Sequence, residues 1–155
     1  MKKEIDVQGL YALSYITRYS NVPRIKDENV AEHSFYVAVE VMKLYETYKF
    51  DLGVALGMAI THDWPEKEID DINHVLKHKN PKLASLLKEM ELEEIKTYPD
   101  FIQDFFIKFE EGNSVEALIV KLADVRQCKT YSKNEIELGN KGYMGYVYTN
   151  SSNRI

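Results

Sequence analysis

Apolar residues recur along most of this chain at spacings of three and four, the period of an α-helix with one buried face. In "VAEHSFYVAVEVMKLYETY" (30–48), Val30, His33, Val37, Val41 and Leu44 fall on one side. Asn29 is placed to cap that helix, and Glu32, three residues on, completes a capping-box pattern. "LGVALGMAITHD" (52–63) is nearly all apolar, which predicts a short helix through the middle of the domain. Asn80-Pro81 reads as the cap and first turn of a helix over 81–98, and Pro99 separates it from "DFIQDFFIKF" (100–109). Gly112 ends that stretch, and a longer helix is predicted over 113–138 with Asn113 as cap and Glu116 as its partner.

Gly139, Gly142 and Gly145 interrupt the last segment, so residues 139–155 are expected to be an irregular tail or a docking arm. No run alternates with period two, and no internal repeat is evident. The pattern predicts an all-α, single-domain helical bundle of about five to seven helices, with its core over roughly residues 10–138.

Composition narrows the picture. At 155 residues and 18.1 kDa, one domain with one core is the economical reading. Cys128 is the one cysteine, so no internal disulfide can form, which fits a reducing compartment. The N-terminal stretch carries Glu4 and Asp6 among its apolar residues, unlike a signal peptide, and no run approaches a membrane span. A cytoplasmic protein with no membrane partner is expected. The net charge of −5 argues against a specific nucleic-acid partner, which would need a basic face. Phosphate loops, zinc-finger cysteine sets and serine nucleophile elbows are absent from the sequence.

The stretch "THDWPEKEIDDI" (61–72) places His62 and Asp63 where a hydrophobic helix gives out, followed closely by Glu66, Glu68, Asp70 and Asp71. Taken singly these residues signify little. A histidine on an apolar face is usually a hydrogen-bonded core residue, a mid-helix aspartate is usually salt-bridged, and an acidic run is usually a wet loop. His33 and Asp124 nevertheless sit oddly in their own helices, each in an apolar register where a lone polar group is costly. Imidazole nitrogen and carboxylate oxygen together suit a divalent ion. Only the joint order carries weight: a histidine, then a His-Asp pair, then an aspartate, on three separate helices.

That order resembles the HD superfamily of metal-dependent phosphohydrolases. Within it, the chain is most similar to the bacterial 5′-deoxynucleotidase group and related small phage deoxynucleotide phosphohydrolases. The similarity is carried by "TRYSNVPRIKDENVAEHS", "HDWPEKEIDD", "VLKHKNPKLA" and "VKLAD", and spans roughly residues 10–130. It implies that His33, His62, Asp63 and Asp124 ligate a divalent ion (Mn²⁺, Co²⁺, Zn²⁺ or Fe²⁺), with Glu66 orienting or deprotonating a water molecule. It further implies that Arg18 clamps phosphate, that Asp71 holds the sugar 3′-hydroxyl, and that Lys77 and Lys121 face phosphate.

Three departures stand out. Tyr19 replaces the tryptophan that packs against deoxyribose in that group. Pro65 disfavours helical geometry at Trp64, which can displace Glu66. "DINHV" replaces "DLPTP". The implied activity is hydrolysis of deoxyribonucleoside 5′-monophosphates. Its alternatives are a deoxynucleoside triphosphate triphosphohydrolase (dATPase-like) and, more remotely, a nucleotide-binding sensor of little activity. The group's habit, with 11 Tyr and 6 Phe, makes a homodimer or higher homo-oligomer the expected assembly.

Overall fold

The computed structural model describes residues 3–155. Among them no strand forms, and one antiparallel bridge pairs Thr17 with Asn29. In chain order the helices are α1 (Val7–Leu10), a 3₁₀ turn (Tyr11–Ser14), α2 (Val30–Tyr45), α3 (Leu52–Thr61) and α4 (Glu66–Ile69). There follow α5 (His74–Lys79), α6 (Pro81–Ile95), α7 (Asp100–Glu111), α8 (Val115–Glu137) and α9 (Tyr143–Arg154). The architecture is all-α. With the single turns α1 and α4 set aside, α2, α3 and α5 to α9 match the upper end of the expected helix number.

Local chemistry explains where these helices begin. The Asn29 side chain accepts the Glu32 amide while the Glu32 carboxylate accepts the Asn29 amide, a complete capping box. At α8 the cap is Ser114 rather than Asn113: its hydroxyl accepts the Ala117 amide at 3.1 Å. Glu116, freed from a capping role, reaches across to accept the Asp51 amide at 2.8 Å at the start of α3.

The tail, expected to be irregular or a docking arm, folds as α9 and packs on α8. Only one of its three glycines, Gly145, lies inside the helix; Gly139 takes φ +107 just past α8 and Gly142 flanks the new helix start. Met144, Val147 and Ser151, at helical spacing, are buried in the finished fold, where α9 packs on α8. Tertiary burial thus outweighs the weak local propensity.

The longest helix, α8, lies at the centre and touches α2, α3, α7 and α9. Ala55 and Ala59 of α3 and Ala117 and Ala123 of α8 share one core with Val37, Val41, Leu44 and Met58. Small side chains there let the helices approach closely. Gly57 serves the same purpose against α7, since a Cβ at that position would lie 2.5 Å from the Phe105 ring. A second cluster, including Leu13, Val30, Trp64, Tyr98 and Phe106, fastens the N-terminal segment and the turn after α3. No helix among the described residues is long and apolar enough to cross a membrane.

Candidate metal centre and substrate cavity

The site forms where three helices meet. His33 projects from the first turn of α2, His62 and Asp63 follow the last turn of α3, and Asp124 comes from the middle of α8. One ligand atom each from His33, His62 and Asp124 lies within 4.8 Å of the others. His33 Nε2 is 3.1 Å from Asp124 Oδ1 and 3.5 Å from Asp63 Oδ2; His62 Nε2 is 3.2 Å from Asp63 Oδ2. His62 Nδ1 pairs with the Ala59 carbonyl at 2.7 Å. A carbonyl can only accept, so Nδ1 carries a proton and Nε2 is the nitrogen turned toward the carboxylates.

The electrostatics favour a cation. His62 Nε2 is buried and makes no well-aligned hydrogen bond, its nearest acceptor being Asp63 Oδ2 at 3.2 Å. Burial by itself would lower the imidazole pKa, but the Asp63 and Asp124 carboxylates outweigh it and raise it to about 9. Burial would raise the Asp63 pKa, and the His62, His33 and Arg18 charges instead hold it well below the usual carboxylate range. Asp124 is likewise held low, chiefly by His33 against the effect of burial. Two buried imidazoles, two ionised carboxylates and an unpartnered nitrogen suit a divalent ion with mixed nitrogen and oxygen ligands.

His33, Asp63 and Asp124 open onto a cavity of about 470 Å³, a volume ordinary for a small-molecule site. Arg18, Tyr19, Glu66, Asp71 and Lys77 line it as well. Pro65 does not carry Glu66 away from the site. It caps the single turn α4, backbone bonds run from the Trp64 amide to Thr61 and from the Glu66 amide to Asp63, and the chain bends round the ligands. Glu66 Oε2 is buried without a partner. Burial, then the Asp63 and Asp71 charges, push the Glu66 pKa well above that of an ordinary glutamate. Asp71 is raised too, mainly by burial.

Arg18 and Tyr19 are held by a loop that leaves and rejoins the fold at one point. The Arg18 amide donates to the Glu28 carbonyl at 2.8 Å, and the Val30 amide donates to the Ile16 carbonyl at 3.0 Å. Tyr19 adopts φ +54, rare for a bulky residue, and stacks on Tyr131 at 5.4 Å between centroids. Lys121 is placed elsewhere. It is not among the cavity-lining residues, and its ammonium lies 3.5 Å from the Glu110 carbonyl at the end of α7 and 5.5 Å from the centre of the Phe109 ring.

The far wall comes from residues outside the expected set. His74 of α5 and Tyr143, Tyr146, Asn150 and Arg154 of α9 line the same cavity. Burial lowers the His74 pKa, and the Arg154, His78 and Lys77 charges lower it further, so the neutral imidazole is favoured beside these cations. The glycines that obscured α9 in the sequence also hid this wall. Buried Glu28 and Gln127 were missed as well, although Gln127 lies three residues after Asp124 on the same helical face.

The family described as 5′-deoxynucleotidase YfbR-like matches residues 7–155. The chain belongs to that family. A 5′-deoxynucleotidase of Pasteurella multocida is 29% identical over 145 residues, covering 84% of this chain and 74% of that protein. Among solved structures, an HD-domain phosphohydrolase of Listeria innocua has the same fold, with TM-score 0.76 and 23% identity over 93% of this chain and 75% of that one. Cyanophage S-2L HD phosphohydrolase (DatZ), bound to dA and one catalytic Zn²⁺ ion, superposes with TM-score 0.69 and 18% identity over 99% and 86%.

Proposed function

We propose that this chain hydrolyses the 5′ phosphate ester of deoxyribonucleoside 5′-monophosphates at a divalent metal site. The observation that carries this reading is the placement of His33, Asp63 and Asp124 on the same cavity as Arg18, Glu66 and Asp71, with an unpartnered His62 Nε2 behind them. Family membership over residues 7–155 supports it. So do the name of the Pasteurella relative and the dA and zinc in the cyanophage neighbour.

His33 and His62 through Nε2, with the Asp63 and Asp124 carboxylates, would hold Mn²⁺, Co²⁺, Zn²⁺ or Fe²⁺. Such an ion, when bound, supplies Lewis acidity toward the phosphate and makes water a stronger acid. Arg18 binds non-bridging phosphate oxygens through its planar fork of donors. Asp71 accepts the sugar 3′-hydroxyl, and Tyr19 lies against the sugar. Glu66 Oε2 takes the proton of the water that attacks phosphorus and passes it to the departing 5′ oxygen as the P–O bond breaks. The products are a deoxynucleoside and phosphate.

A second reading, triphosphate release from deoxynucleoside triphosphates, has its own support. Lys77 and Arg154 bring positive charge to the cavity lining, which a longer phosphate chain would need. Product analysis separates the two. The protein with added Mn²⁺ or Co²⁺ is given each deoxynucleoside mono- and triphosphate and its ribo counterpart, with Asp63→Ala as control. Orthophosphate from monophosphates, lost in the control, establishes the first reading. Triphosphate release establishes the second. Turnover of neither, with the ion still bound, would leave a nucleotide sensor.

A further inference from the structure

Helix α9 presents one stripe of side chains to the cavity: Tyr143, Tyr146, Val147, Asn150 and Arg154, at spacings of three and four. The two ends of the stripe meet different neighbours. In the last turn, the Arg154 charge acts on His74, as does that of Lys77. In the first turn, Tyr143 packs against the cluster of Tyr131, Met144 and Val147, and Tyr19 packs against that same cluster. The tyrosine end of α9 therefore adjoins the wall assigned to the sugar.

Tyr146 lines the cavity and is still 56% exposed. Its ring lies 5.8 Å from that of Tyr143 between centroids, with the planes tilted by 47°. A single exposed tyrosine on a helix surface needs no explanation. Two tilted rings on a cavity wall are different, because together they offer a face and an edge to a third flat ring. Ile72, Val75 and Leu76 line the same cavity, and Leu76 is also half exposed.

A nucleotide fixes the order of its parts, with phosphate on C5′ and base on C1′ at opposite flanks of the sugar. With the phosphate at Arg18 and the sugar against Tyr19, the base emerges beyond Tyr19. The aromatic surface waiting there is Tyr143 and Tyr146. We propose that these two tyrosines are the platform on which the base of the deoxynucleotide stacks, and that a purine is held better than a pyrimidine. This rests on the proposed reading of the site. The fused rings of a purine cover both tyrosines, whereas the single ring of a pyrimidine covers one. The preference is graded, because every base has a π-face to stack.

Tyr146→Ala and Tyr146→Phe test the platform in metal-stripped protein, so that no ligand is turned over. Alanine favours an exposed helical position, so loss of folding is not expected. Calorimetric titration gives dissociation constants for dAMP, dCMP and 2-deoxyribose 5-phosphate, which carries a hydroxyl in place of the base. Wild type is expected to bind dAMP about 5-fold or more tighter than 2-deoxyribose 5-phosphate, with dCMP between them. Tyr146→Ala should weaken dAMP by about 5-fold or more, dCMP by less and the base-free ligand least. Tyr146→Phe keeps the ring and should bind dAMP as wild type does.

Equal wild-type affinity for dAMP and 2-deoxyribose 5-phosphate overturns the platform, and so does binding of none of the three. Unchanged dAMP affinity in Tyr146→Ala, or an equal loss on all three ligands, does the same. Equal losses on dAMP and dCMP alone overturn the purine preference. Hydrolysis with added Mn²⁺, measured alongside, keeps the two readings apart. A wild type with base-dependent affinity that hydrolyses nothing would remove the proposed function and leave the platform. One that hydrolyses deoxynucleotides without base-dependent affinity would do the reverse.

Discussion

Glu66 sits in surroundings unlike those of an exposed glutamate. Its Oε2 is buried without a partner, and burial with two neighbouring carboxylates favours its protonated form when no ion is bound. A divalent cation held by Asp63 would oppose those charges and favour the ionised form that accepts a proton. Without an acceptor for the water proton, catalysis should fall by about 10²–10⁴-fold. Glu66→Gln is therefore expected to lower kcat on that scale while Mn²⁺ affinity measured by calorimetry stays close to wild type. An equal loss of metal binding would make Glu66 a ligand instead. Tyr19 offers a second residue-level prediction. Its ring stacks on Tyr131 and lies 5.3 Å from the Arg18 guanidinium, which holds it rigidly at the cavity wall. Tyr19→Ala should reduce the preference for deoxyribose, read as the ratio of kcat/KM for dAMP over AMP. Tyr19→Phe separates ring from hydroxyl: retained selectivity assigns it to packing, and lost selectivity to the hydroxyl.

At the scale of elements, α5 and α9 contribute Lys77 and Arg154 to the cavity lining. Lys77→Ala and Arg154→Ala should raise KM for a deoxynucleoside triphosphate more than for the monophosphate, as initial-rate kinetics would show. Equal effects on both would place these cations outside the phosphate path. The helices themselves differ in how far the sequence revealed them. Helix α2 was legible because Val30, Val37, Val41 and Leu44 repeat at helical spacing behind an Asn29–Glu32 capping box. His33 and Asp124 were legible because each breaks an apolar register. Helix α9 was hidden because its order comes from burying Met144 and Val147 on α8, a tertiary contact that local pattern does not carry. The same limit applies to Lys121: its spacing from Asp124 indicates the face of α8 but not the neighbouring Glu110 carbonyl that holds its ammonium. Gln127 shares that face with Asp124, and only the position of Glu28 reveals which way its amide points.

Across the whole molecule, the segment carrying Arg18 and Glu28 must be held against α8 for the metal and phosphate ends to meet. Glu135 does much of this. It is 1% exposed, and its carboxylate accepts the Ile25 and Lys26 amides at 2.8 Å each and the Asn140 side chain at 2.9 Å. Tyr131 adds a bond to the Lys26 carbonyl at 2.6 Å, and Asn140 a bond to the Pro23 carbonyl at 2.9 Å. Burial by itself would raise the Glu135 pKa; the Asn140, Ile25 and Lys26 hydrogen bonds outweigh it and hold the pKa below the ordinary value. A carboxyl whose folded pKa lies below its unfolded pKa stabilises fully above the unfolded value, about 4.3. That contribution fades as pH falls toward and through the folded value. Glu135→Gln keeps the shape but replaces one accepting oxygen with a donor facing donors, at a cost of about 2 kcal/mol. Urea unfolding should therefore separate the variant from wild type most at pH 7, with the gap closing as pH drops below about 4. Activity at pH 7 should fall in parallel with the population of the docked loop. A gap that did not change with pH would show that the carboxylate charge contributes nothing and that Glu135 acts through packing alone.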